Sequence, residues 1–179
     1  LGTGGAIAGA CAQAGDNIGY MAARVGGAQL LGAVPGLQQA AAGAQLVTEQ
    51  VAQIDSKDMD TAVWQALARR CAQHLQDPAV RGVVITHGTD TLEETAWFLD
   101  QVLDTRAKPV VLTCAMRPAT ALAPDGPQNL LDAVAVASTP GARGVVAVAA
   151  GELHGARHVQ KVHPYRVNAF GSGEAGPLG

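Results

Sequence analysis

A β-branched, apolar run, Gly82-Val83-Val84-Ile85-Thr86, stops abruptly in the polar cluster His87-Gly88-Thr89-Asp90-Thr91. The run reads as a buried parallel strand. The residues after it, from Glu93 to Asp104, read as a helix with Ala96, Trp97, Leu99, Val102 and Leu103 available to its buried face. Thr89, Asp90 and Thr91 therefore fall where a strand ends and a helix begins. In an open α/β sheet that is the carboxyl edge, where ligands bind. Free N–H groups at a helix start favour anions, and the three side chains add hydroxyls and a carboxylate. Capping of the helix by Thr89 or Thr91, with acidic residues in its first turn, accounts for the same spacing.

The rest of the chain repeats the alternation. Residues 44 to 54 read as a strand and 60 to 76 as a helix; Pro109 to Thr113 is a second core strand, Gln128 to Ser138 a helix and Gly144 to Ala150 a further strand. Alternation of this kind predicts an α/β fold: a mostly parallel, Rossmann- or flavodoxin-like sheet with helices on both faces. Thr139-Pro140-Gly141 ends the helix before it, because proline cannot continue the hydrogen-bond ladder. The segment from Ala10 to Ala23, with Gly15 and Gly19 and no clear period, reads as a loop over the end of the first strand.

The opening Leu1-Gly2-Thr3-Gly4-Gly5-Ala6-Ile7-Ala8-Gly9 is a tight glycine turn, yet it fails the nucleotide templates. A dinucleotide fingerprint counted from Gly2 and Gly4 needs glycine where Ile7 stands, and a P-loop from Gly4 to Gly9 needs lysine where Ala10 stands. Gly4-Gly5 can still bring backbone N–H groups to an oxyanion. Leu1 is the only strand-like residue ahead of this turn, so the chain reads as beginning inside its first strand, a fragment or the ordered part of something longer.

At 179 residues the chain suffices for one domain with a sizeable core. The net charge of −3 comes from interspersed residues without a basic block, which argues against nucleic acid as a partner. No apolar run reaches membrane-spanning length. Cys11, Cys71 and Cys114 form neither a disulfide framework nor a metal spacing, and Cys71 and Cys114 are expected as buried small hydrophobes. His154 and His158 stand four apart with His163 beyond, but the glutamate of a metalloprotease helix is missing and Gly155 weakens a helix. Structural or solvated histidines, and no metal, are the expectation. His87 is expected to orient its neighbours, and Arg117 to tie loops together.

Two blocks, Thr3-Gly4-Gly5-Ala6-Ile7-Ala8-Gly9 and His87-Gly88-Thr89-Asp90-Thr91-Leu92-Glu93-Glu94-Thr95, resemble the bacterial L-asparaginase (glutaminase-asparaginase) family, type II most closely. Ile54-Asp55-Ser56-Lys57-Asp58-Met59, Ala115-Met116-Arg117-Pro118, Asp125-Gly126-Pro127-Gln128-Asn129-Leu130, Ala156-Arg157-His158-Val159-Gln160-Lys161 and Ala175-Gly176-Pro177-Leu178-Gly179 extend the resemblance through nearly the whole chain. It implies that residues 1–179 are the larger N-terminal domain, with a smaller C-terminal domain missing. It further implies hydrolysis of L-asparagine, and of L-glutamine as a second substrate, through an acyl-threonine intermediate with release of ammonia.

Several roles are implied by that resemblance. The nucleophilic threonine of the family falls at Ala6, which has no nucleophilic atom. With Thr89, Asp90 and Lys161 retained, this reads as a deliberate replacement, a naturally inactive relative being the alternative. Tyr20, in the family's lid and matched with a one-residue shift, activates or positions the nucleophile. Thr89, Asp90 and Lys161 form a second catalytic constellation, with Lys161 as base or proton relay. Asp90 also binds the substrate's α-ammonium group and Ser56 its α-carboxylate. Lys57 and Asp55 replace a common glutamine and glycine, and a cation at 57 strengthens carboxylate binding or shifts substrate preference. Ala115 offers a carbonyl to the side-chain amide, and the N–H groups of Gly5, Gly88 and Thr89 are oxyanion-hole candidates. The family has no cofactor or metal and assembles as homotetramers built from intimate dimers, a neighbour's C-terminal domain completing each site. The compartment, periplasm or cytoplasm of a bacterium, is left open. A non-catalytic domain that binds acidic or amide amino acids is the competing reading.

Overall fold

The computed structural model describes residues 1–11, 20–21, 29 and 32–179. Its framework is a six-stranded sheet ordered β4-β1-β5-β6-β7-β8, in which β1 is Gly2–Gly4, β4 Gln50–Ile54, β5 Val83–Thr86, β6 Pro109–Thr113, β7 Gly144–Ala149 and β8 Glu152–Gly155. The pairs from β4 to β7 are parallel, and β8 runs antiparallel at the edge. Two small ribbons accompany it: β2 (Ala10–Cys11) against β3 (Tyr20–Met21), and β9 (Gln160–Lys161) against β10 (Phe170–Gly171).

Helices cover both faces, as the alternation predicts. On one, α2 (Thr61–Gln76) and α3 (Leu92–Val102) pack Leu67, Cys71, Ala96 and Leu99 against Ile85, Val110 and Leu112. On the other, the short α1 (Leu37–Ala40) and α4 (Gly126–Ser138) bring Leu37, Leu130, Ala133 and Val134 over Val84, Val111 and Val146. Because both faces are covered, all five residues of β6 are buried, which is why that strand reads as a continuous apolar run rather than an alternation. Among the described residues no helix is long and apolar enough to cross a membrane.

Two expectations need correction. The strand predicted from residue 44 starts only at Gln50; among the described residues its one sheet partner is β1, three residues long, which reaches back no further than the Gly2 N–H to Glu49 carbonyl bond. Trp97 and Val102 are exposed, at 56% and 52%. The buried stripe of α3 runs through Leu92, Thr95, Ala96 and Leu99, and at 100° per residue Trp97 and Val102 fall off it. His154 sits buried on the strand β8, in line with the structural role expected for it, and the four-residue spacing to His158 does not place the two on one helical face. The loop expected over residues 10 to 23 lies largely outside the described residues.

Candidate active site

The parallel strands deliver β1 and β5 side by side, and their carboxyl ends turn at Gly4-Gly5 and His87-Gly88. Gly5 has φ +80°, and a Cβ there would lie 2.3 Å from the Gly88 Cα. Only glycine permits this backbone approach. A Cβ on Gly88 would in turn meet the Ser56 Oγ at 2.3 Å. Three loops, after β1, β4 and β5, thus converge within side-chain-free distance of one another.

Ser56 is buried, and its Oγ accepts from the Asp90 N–H at 3.1 Å, while its carbonyl accepts from Thr91 Oγ1 at 2.8 Å. The serine loop and the helix start are therefore locked together. Thr91 occupies the N-cap of α3 without a side-chain cap bond, its hydroxyl being used across the loops. Lys161, on β9, reaches in from the far side. Its Nζ donates to Thr89 Oγ1 at 2.8 Å and to Asp90 Oδ1 at 2.6 Å. Glu93, in the first turn of α3, accepts the Lys161 backbone N–H and holds the strand in place. Charge-assisted bonds of this kind are among the stronger ones.

Ala6 opens a 3-10 turn, Ala6–Ala8, directly after Gly5; Tyr20 pairs through its backbone with Cys11. The side chains of both lie outside the described residues. Ala115 is buried just past the end of β6. Its loop is pinned by Asp125, which accepts from the Met116 and Arg117 N–H groups at 2.9 Å each, and by Asn129 Nδ2, which donates to the Cys114 carbonyl at 3.0 Å. Lys57 points elsewhere: its ammonium is exposed and bonded to Asp55 at 2.9 Å and Asp58 at 3.2 Å. The Gly5 N–H donates to the Ile54 carbonyl at 3.1 Å, so it is already taken within the fold. The Gly88 and Thr89 N–H groups have no acceptor among the described residues.

Titration states follow from burial. His87 is fully buried, and desolvation pushes it down to about 4, although a bond to the Gly88 carbonyl opposes this. Burial and the nearby Asp125 charge raise the Cys114 thiol far above its ordinary value, which removes it as a nucleophile. His154 is lowered by burial, against the pull of Glu152, and its Nδ1 is bonded to Ser172 Oγ at 2.9 Å. Sequence reasoning did not single out Glu93, Asp125 or Asn129 as supports. Their partners are far along the chain or in irregular backbone, where no periodicity signals them.

Residues 1–179 match the family model described as Asparaginase, N-terminal. The chain is 45% identical over 181 residues to a glutaminase-asparaginase of Pseudomonas fluorescens biotype A, covering 100% of this chain and 49% of that protein. It is 44% identical to a probable periplasmic L-asparaginase of Haemophilus influenzae, covering 100% and 50%. The crystal structure of a probable cytoplasmic L-asparaginase from Campylobacter jejuni superposes with a TM-score of 0.94 at 42% identity, covering 100% of this chain and 54% of that one. The chain spans about half the length of the curated relatives it matches.

Proposed function

Since the chain belongs to the asparaginase family, matching its N-terminal model over residues 1–179, we propose that it is the nucleophile-bearing half of an amidohydrolase acting on L-asparagine, and secondarily L-glutamine, with Ala6 standing where the attacking hydroxyl belongs. The observation that carries the reading is the Lys161 ammonium, 2.8 Å from Thr89 Oγ1 and 2.6 Å from Asp90 Oδ1, at the edge where β1 and β5 end. Amide hydrolysis needs a nucleophile, a proton carrier, an oxyanion donor and a grip on the amino acid's charged ends. Lys161 and Thr89 supply a proton path, the Gly88 and Thr89 N–H groups face no competing acceptor among the described residues, and Asp90 and Ser56 hold the α-ammonium and α-carboxylate. Tyr20 from the lid and Ala115 from its pinned loop complete the proposed set. Lys57 acts at the rim, through its pairs with Asp55 and Asp58. The complete enzyme includes a C-terminal domain, as its relatives' length suggests, and works as a homotetramer of intimate dimers on small-molecule substrates.

The alanine itself favours a second reading, a domain that binds acidic or amide amino acids without turning them over. Both readings share a binding test. Calorimetric titration of the full-length protein is expected to show binding of L-aspartate and L-asparagine without ammonia release. Asp90→Asn and Ser56→Ala are each expected to weaken it about tenfold, the loss of one bond to a charged group. Absence of binding, or binding indifferent to both substitutions, rejects the assignment of this site.

A further inference from the structure

His87 lies behind the Gly88–Thr89 turn, and its hydrogen bonds have forced directions. The Trp64 indole N–H can only donate, and it reaches Thr95 Oγ1 at 2.8 Å. The Gly88 carbonyl can only accept, so the single proton of the neutral imidazole sits on Nδ1, 2.8 Å from it. The other ring nitrogen, Nε2, then accepts, and the Thr95 hydroxyl at 3.0 Å is its donor. Thr95 and His87 are both completely buried. The Trp64 ring is itself fixed by stacking on Phe98, with centroids 5.7 Å apart, and the His87 backbone N–H donates to the Thr113 carbonyl of β6 at 2.8 Å.

A trans peptide is planar, with its C=O and N–H on opposite sides. Fixing the Gly88 carbonyl against the buried His87 ring therefore turns the Thr89 N–H to the opposite side of that peptide, away from His87. We propose that Trp64, Thr95 and His87 form a positioning relay that sets the Gly88–Thr89 peptide plane and aims the Thr89 N–H at the oxyanion of the amide substrate. The inference rests on the amidohydrolase reading. Of the neighbouring N–H groups, that of Gly5 is engaged by Ile54 and that of Asp90 by Ser56 Oγ, which among the described residues leaves those of Gly88 and Thr89 for a ligand. A donor aimed in advance at developing charge is worth more than one that must reorient.

Nitrogen-15 NMR of histidine-labelled protein reads the relay directly. The expected result at neutral pH is a His87 imidazole protonated on Nδ1 and accepting at Nε2; a proton on Nε2 overturns the proposal. In the Ala6→Thr background, Thr95→Val is expected to lower kcat about tenfold with KM within about twofold, whereas Thr95→Ser, which keeps the hydroxyl, retains kcat. A merely structural Thr95 would change the melting temperature and leave kcat of the folded protein equal in the two variants, and that equality also overturns the proposal. Should Ala6→Thr release no ammonia, the amidohydrolase reading fails separately. L-aspartate affinity then carries the comparison, because a side-chain carboxylate oxygen meets the same N–H. Binding about tenfold weaker in Thr95→Val than in Thr95→Ser supports the relay, and equal affinity rejects it.

Discussion

Ala6→Thr is expected to raise ammonia release from L-asparagine by at least about 10⁴-fold in the full-length protein, with a smaller gain on L-glutamine. The magnitude follows from how catalytic units fail. When the attacking group of a cooperating set is removed, the remaining members recover almost none of the rate, because proton carrier and oxyanion donors act on a nucleophile that is no longer there. Here Lys161 is already bonded to Thr89 and Asp90. Position 6 opens a 3-10 turn immediately after Gly5, and Gly5 is held against Gly88 so closely that neither carries a side chain. A hydroxyl at 6 is thus introduced next to the turn that bears Thr89. Colorimetric or coupled ammonia assays of the two proteins side by side give the answer. Unchanged, background-level release, with L-aspartate still bound, would move the protein to the amino-acid-binding reading.

The second large effect is at Lys161. In the Ala6→Thr background, Lys161→Met is expected to reduce kcat about 10³-fold, within the range attributed to a positioned proton-transfer group. Methionine matches the lysine side chain as far as Cε and lacks the ammonium. The loss strips Thr89 Oγ1 of its 2.8 Å donor and Asp90 of its 2.6 Å partner. The fold is expected to survive, because β9 stays tied by the Lys161 backbone N–H to Glu93 and by its pairing with β10. The melting temperature should therefore move by only a few degrees. Steady-state kinetics with L-asparagine test this; a loss below about tenfold would reduce Lys161 to a structural ion pair.

Much of the layout was legible in the chain because it depends on local signals. The runs at 83–86 and 109–113 are short, β-branched and bounded by turn residues, and they became the central strands. The polar cluster after Thr86 marked the sheet's carboxyl edge, and the Thr89–Asp90–Lys161 grouping that motif resemblance implied is brought together there. Less legible was anything set by contacts distant in sequence. The antiparallel edge strand β8 is short and partly polar, and it is defined by its partner β7 rather than by its own pattern. Trp97 looked like a core residue on an apolar count, yet the stripe it would have to share passes through Thr95, a polar residue buried because it bonds His87. The orientation of Lys57 was decided by two neighbouring carboxylates, Asp55 and Asp58, and not by the carboxylate-binding role its charge suggested. The Gly5 N–H, similarly, is spent on Ile54 because β1 and β4 pair right up to the turn.

The central claim, that position 6 is where the nucleophile of an amide-cleaving site belongs, is tested most directly by intact-protein mass spectrometry. Ala6→Thr protein is mixed with L-asparagine and quenched in acid during turnover, and the adduct is mapped by peptide digestion. The result predicted is an aspartyl ester on the side chain introduced at position 6, with no adduct on the Ala6 protein under the same conditions. An adduct on any other residue, or ammonia release by the Ala6 protein at a rate equal to that of the variant, would contradict it.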